Sequence, residues 1–150
     1  MANLNTPEMK HVSDIIQVLN SGIDFYRDAK DKVDDQQLAQ FFDRMLSARR
    51  LVKEQLQPFA VQDDGKREEG SALSVEARKV YTKVIGAVSS DKAHTYISQL
   101  EEVEDKTLEE IRSALTENQR PQYEAALLQS LATMQECHDE MRALKKSTRH

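Results

Sequence analysis

The chain has no tryptophan, one cysteine, three prolines and four glycines among its 150 residues. A lone thiol, Cys137, excludes an intramolecular disulfide framework, so a packed core must hold the chain, and a reducing compartment is the simplest setting. Scarce glycine and proline leave few places to turn, and β-branched runs are few, so long helices with few connections are favoured over a sheet. No uncharged apolar run is long enough to span a bilayer, and the opening MANLNTPEMK has no signal-peptide core. The expected location is the cytoplasm, with no membrane contact. A concentrated basic patch is missing too: the net charge is −5 and the basic residues are spread among acids, which argues against a nucleic-acid surface. The one basic cluster, Lys145, Lys146, Arg149 and His150, suits the C-terminal end of a helix dipole.

What is present points to helices. A composition of 39% hydrophobic and 31% charged residues is ordinary for a globular chain, and its length suits one domain over 1–150 with a real core. Thr6-Pro7-Glu8 reads as a helix start, and Val12, Ile15, Ile16, Leu19, Ile23 and Tyr26 then recur at helical spacing, predicting a helix over about 7–33. Gly22 lies inside it at a cost of about 1 kcal/mol, which implies the close approach of a neighbouring helix. A second helix, about 35–58, opens at Asp34 or Asp35, turns Leu38, Phe42, Met45, Val52 and Leu56 inward, and ends or kinks at Pro58. The run QDDGKREEG reads as a solvated loop without a phosphate-cradling pattern. A shorter crossover helix is expected over 72–88. Long helices follow over 91–116, capped by Ser90-Asp91, and over 120–146, announced by Arg120-Pro121.

One stretch stands apart, ISQLEEVEDKTLEEIRSAL. Ile97, Leu100, Glu104, Thr107, Leu108, Ile111 and Leu115 share one helical face, so an acid sits inside an apolar stripe. A carboxylate there must be paired, bound to a metal, protonated, or able to lean into water. Arg49 falls near the inner face of the second helix, and a guanidinium binds a carboxylate through two parallel hydrogen bonds. Two readings stay open: Arg49 pairs with Glu104, or it snorkels to the bundle edge. Tyr26 is read as core with its hydroxyl near a polar partner, the alternative being a redox or ligand role. The neighbouring acids Glu101, Glu102, Asp105, Glu109 and Glu110 read as a solvated face.

Four long amphipathic helices with one crossover set the expected fold class: all-α, a ferritin-like four-helix bundle with an extra short helix between helices two and three. Metal sites in such bundles take a Glu from each of two helices and a Glu-x-x-His pair from each of the others, because residues three apart point the same way. That pattern is missing. Helix two offers Ala48-x-x-Leu51 or Arg49-x-x-Val52, helix four offers Gln135-x-x-His138, and helix one turns Ile23 inward with Asp24 about 100° away. Glu104 and His138 remain as candidate metal ligands, enough for a weakly held iron or other divalent ion with help from water, too few for a di-iron centre, and His138 reads otherwise as an edge histidine hydrogen-bonded to a neighbour. Cys137 and His138 are adjacent and diverge on a helix, so they make no nucleophile–base pair, and Cys137 reads as a small buried hydrophobe. His11 and His94 fall on separate helices.

Several short motifs recur in order: Gly22, Tyr26-Arg27 and Ala29; Leu38, Phe42 and Arg49; Glu104-Asp105; His138-Asp139 followed by Arg142-Ala143-Leu144. From about Val12 to Leu144 the chain resembles a bacterial family of uncharacterised ferritin-like four-helix-bundle proteins, classed as a domain of unknown function. The resemblance implies a cytoplasmic bundle with a crossover segment and brings no settled activity or substrate. Ile23 and Ala48 stand where related chains tend to carry acids, which weighs further against metal chemistry. The function expected is a non-enzymatic binding or structural module with a degenerate metal site and no cofactor. Self-association or a protein partner is expected through Phe25, Leu46 and Leu128, which lie off the main stripes. Two alternatives remain. One is a metal-binding (iron) oxidoreductase or storage protein using Glu104 and His138, with Tyr26 nearby. The other is a stress-linked protein holding an apolar ligand among Met45, Met134 and Met141.

Overall fold

In the computed structural model, the described residues are 11–70 and 92–147. They form four helices and no strand: α1 (Val12–Lys32), α2 (Gln36–Asp64), α3 (Lys92–Leu115) and α4 (Pro121–Ser147). The crossover helix expected over 72–88, the Thr6-Pro7 start and the Ser90-Asp91 cap lie outside the described residues.

The ends of these helices follow local chemistry. Helix α1 begins at Val12 because His11 adopts φ 69°, a left-handed conformation that no α-helix passes through. The helix expected from residue 7 therefore does not continue through His11. Asp35 caps α2, its Oδ1 accepting from the Gln37 and Leu38 amides at 2.9 and 3.2 Å. Of the end or kink expected at Pro58, the end does not occur: α2 runs past the expected residue 58 to Asp64. Proline removes one N–H donor there, but Pro58 is exposed, while Gln57 and Ala60 on either side are buried and Phe59 packs on Tyr123 with ring centroids 5.4 Å apart. The helix stops instead at Gly65, whose φ of 78° suits glycine and whose N–H bonds the Val61 carbonyl at 2.8 Å. Between α3 and α4, the buried Gln119 amide closes the turn on the Ala114 carbonyl at 2.8 Å, and Pro121 takes the first position of α4.

The helices surround one core in the cyclic order α1, α2, α4, α3. Contacts between His11 and Glu117 and between Tyr26 and Glu104 run α1 against α3. Those between Arg44 and Glu140 and between Phe59 and Tyr123 run α2 against α4. Hence α2 and α3 lie diagonally opposite and point the same way. The C-terminal end of α2 and the start of α3 therefore lie at opposite ends of the bundle, about 40 Å apart for a helix the length of α2.

The predicted stripes are the core. Ile15, Ile16, Leu19, Phe42, Leu56 and Leu127 are fully buried, each stabilising the fold by about 1.5–3 kcal/mol. Phe25 and Leu46, expected on the surface, are buried at 7% and 3% exposure. A helix with two neighbours buries an arc wider than its central stripe, and both residues sit on its flanks. Leu128 is exposed as expected, at 54%. Glu101 also departs from the solvated face expected of it, since it turns toward α4, where the Lys145 ammonium lies 3.6 Å away.

Candidate functional site

The acid in the apolar stripe lies at the centre of the bundle. Glu104 is fully buried, and its Oε1 accepts from the Tyr26 hydroxyl at 2.7 Å and from Arg49 Nη1 at 2.8 Å. Of the two readings open for Arg49, the structure shows the inward one. Its guanidinium spans the diagonal from α2 to α3. Nη2 donates to Thr107 Oγ1 at 2.8 Å and to the Val18 carbonyl at 3.1 Å, and Nε donates to the Leu19 carbonyl at 3.3 Å. Thr107 in turn donates to the Val103 carbonyl at 2.9 Å. The guanidinium carbon stands 6.0 Å from the centroid of the Tyr26 ring.

Gly22 makes room for this arrangement. A Cβ at that position would overlap the Arg49 guanidinium, so what comes closest to Gly22 is a side chain of the neighbouring helix α2. The missing side chain exposes the α1 backbone, and two of its carbonyls accept from the cation. Withdrawing an ion from water costs several kcal/mol, and here the charge pair and its hydrogen bonds offset that cost. Oε2 of Glu104 is buried with no hydrogen-bond partner.

The electrostatics around the pair keep its neighbours protonated. Burial, followed by the Glu104 charge, holds the Tyr26 hydroxyl well above the usual tyrosine range. Burial pushes the Cys137 thiol up to about 12, with Glu104 the next cause. Cys137 is 4% exposed, a protonated thiol in apolar surroundings rather than a nucleophile.

His138 is not brought to Glu104. Its Nε2 lies 2.6 Å from Asp105 Oδ1 and its Nδ1 lies 3.4 Å from Asp139 Oδ1, both carboxylates being largely exposed. Adjacent residues on α3 diverge by about 100°, so Glu104 faces the core while Asp105 meets α4 at the bundle edge. His11 and His94 fall toward opposite ends of α3, His11 being tied to Glu117 at 2.6 Å. No group of three or more His, Cys, Asp or Glu side chains among the described residues is placed to hold a metal ion. The donor set at Glu104 does not suit one either. One carboxylate oxygen is committed to two donors, and the adjacent guanidinium would repel a second cation.

Sequence reasoning missed the Val18 and Leu19 carbonyls, for which Gly22 was the available signal. It also read residues 62–70 as solvated loop, although 62–64 belong to α2. The Gln57 side-chain amide instead holds the backbone of Glu68, and Asn20 holds the Gly70 carbonyl, because these amides are themselves buried and need partners.

Among the described residues these features define an all-helical architecture, four long helices around a buried Arg–Glu–Tyr network. The chain belongs to the family described as a domain of unknown function (DUF2383), whose model matches residues 8–117. No curated protein and no solved structure matches it. The matched stretch contains Gly22, Tyr26, Arg49, Glu104 and Thr107, whereas His138 lies beyond it. Among the described residues, no helix is long and apolar enough to cross a membrane.

Proposed function

We propose that the chain is a ferritin-like bundle of one domain that acts as a non-enzymatic binding or structural module in the bacterial cytoplasm. The up-down-down-up order of its helices, with a long connection between α2 and α3, supports the ferritin-like reading. The observation that carries the functional reading is the Arg49–Glu104 pair at 2.8 Å. In a metal-carrying bundle the central carboxylates meet a divalent ion, whereas here a guanidinium supplies the positive charge. The metal position is degenerate, and the module works through its surface, by self-association or a protein partner, with Leu128 among the apolar residues presented.

Anaerobic titration with ferrous iron, followed by admission of oxygen while absorbance and oxygen uptake are recorded, tests the reading. The expected result is no stoichiometric binding and no oxidation faster than in buffer. Tight binding with rapid oxidation, lost on Glu104→Ala, would establish the metal-dependent alternative. Light scattering on the eluting protein tests assembly, and a monomer that retains no partner in pull-downs counts against the module.

A further inference from the structure

A second polar feature lies between α1 and α2. After Gly65 the chain folds back into the groove between these helices, and residues 66–70 form a strap. Gln57, 1% exposed, reads the strap as a neighbouring β-strand would: its Nε2 donates to the Glu68 carbonyl at 2.8 Å, and its Oε1 accepts the Glu68 N–H at 2.9 Å. Asn20 donates to the Gly70 carbonyl at 2.8 Å, and Gln17 bonds the Glu68 carboxylate. Pinned by these amides, the strap sets Glu69 as an end wall for the space beyond it.

That space is a cavity of about 350 Å³. Asn20 and Ile23, both buried, are among its lining residues. Asp24 and Arg27 line it from α1; Arg50, Lys53 and Glu54 line it from α2. Two of its three acids are already well paired, Glu54 with Arg67 at 2.7 Å and Glu69 with Lys53 at 3.3 Å and Arg67 at 3.1 Å. Arg27 reaches Asp24 only at 3.4 Å, and Arg50 makes no ion pair or hydrogen bond among the described residues. Two guanidiniums therefore have donors to spare, and one carboxylate is loosely engaged.

We infer that this cavity binds a small zwitterion of the amino-acid or dipeptide class, its carboxylate on Arg50 and Arg27 and its ammonium on Asp24. A guanidinium presents a planar fork that matches a carboxylate. The volume sits at the lower end of the roughly 300–1,000 Å³ typical of small-molecule sites, which suits a ligand of that size. A phosphate dianion is disfavoured because it would leave the loosely engaged Asp24 beside a second anion, and a simple amine leaves Arg50 unanswered. The charged contacts are open to solvent, so binding is weak and falls with added salt. None of the core network lines this cavity, and its test is independent of the iron titration.

Saturation-transfer NMR and calorimetry at low ionic strength supply the test, with glycine, glutamate and glycylglycine as probes and acetate and methylammonium as single-charge controls. The dipeptide is expected to bind with a Kd of about 1 mM, and each control at least about tenfold more weakly. Arg50→Ala and Asp24→Asn should each weaken the dipeptide by about tenfold while leaving the thermal melt unchanged, since both side chains are exposed. The inference is overturned by any of three results: no zwitterion bound at about 10 mM, acetate bound as tightly as the dipeptide, or binding undiminished in Arg50→Ala.

Discussion

Glu104→Leu would leave the Arg49 guanidinium fully buried, still bonded to the Val18 and Leu19 carbonyls and to Thr107 but without a counter-charge. Breaking a buried pair from one side costs about 3–5 kcal/mol. The Tyr26 hydroxyl, equally buried, would lose its acceptor for about 1 kcal/mol more. Against a typical stability of about 5–15 kcal/mol, that is a large fraction of the whole. Arg49→Met carries a penalty of the same order, because it strands the carboxylate with Tyr26 as its remaining partner. The double variant Arg49→Met/Glu104→Leu buries no charge. Its expected cost is only about 1–2 kcal/mol, from the orphaned tyrosine and imperfect packing, which makes the coupling at least about 3 kcal/mol. Urea unfolding of the four proteins at neutral pH, followed by far-ultraviolet circular dichroism, measures each of these quantities. Single variants within about 1 kcal/mol of the parent, the worth of an exposed ion pair, would refute the reasoning. So would a double variant that costs the sum of the singles.

Gly22→Ala would ordinarily gain about 1 kcal/mol of helix propensity. Here the added methyl group overlaps the guanidinium, and a net loss of about 1–3 kcal/mol is expected in the same urea assay, so that any gain contradicts the role given to Gly22. With its thiol raised to about 12 and 4% exposed, Cys137 should react with a disulfide reagent only as fast as the protein unfolds; rapid labelling of the native state contradicts this. The raised pKa of Tyr26 means that the fold holds the protonated phenol. Its contribution is therefore full below the free-tyrosine value of about 10 and is lost as pH rises from there through the folded value. Urea midpoints measured against pH should fall on the alkaline side, and Tyr26→Phe should flatten that fall, with Tyr123, also raised by burial, keeping part of it.

The helices were legible because burial imposes a 3.6-residue period that Ile15, Leu19 and Tyr26, or Tyr123, Leu127 and Met134, display openly. Asp35 and Pro121 were legible because caps are local chemistry. Pro58 misled as an end because its cost of about 3 kcal/mol is outweighed by the packing of the residues around it, with Gln57 and Ala60 buried and Phe59 against Tyr123. Phe25 and Leu46 misled because width of burial depends on how many neighbours a helix has, which no single stripe records. Glu104 was visible as an acid out of place and Arg49 as a candidate partner, yet the choice between pairing and snorkelling was not legible. Whether Arg49 reaches it depends on α2 and α3 standing across the diagonal in the right register, a property of the assembled bundle. The strap shows the same limit: its anchors, Gln57 and Asn20, lie outside the charged run that hides it.

The two short turns, at 33–35 and 116–120, let α1 with α2 and α3 with α4 form as hairpins from contacts near in sequence, while Arg49 and Glu104 are 55 residues apart. The central pair is completed only when the hairpins meet, and it then works as a check on alignment. A slip of one helical turn, about 5.4 Å, keeps many apolar contacts interchangeable but parts the two charges and leaves both bare in the interior. Oil against oil tolerates such an error; a single misplaced cation does not. The bundle thus carries its own gauge for the one docking in which every helix is in step.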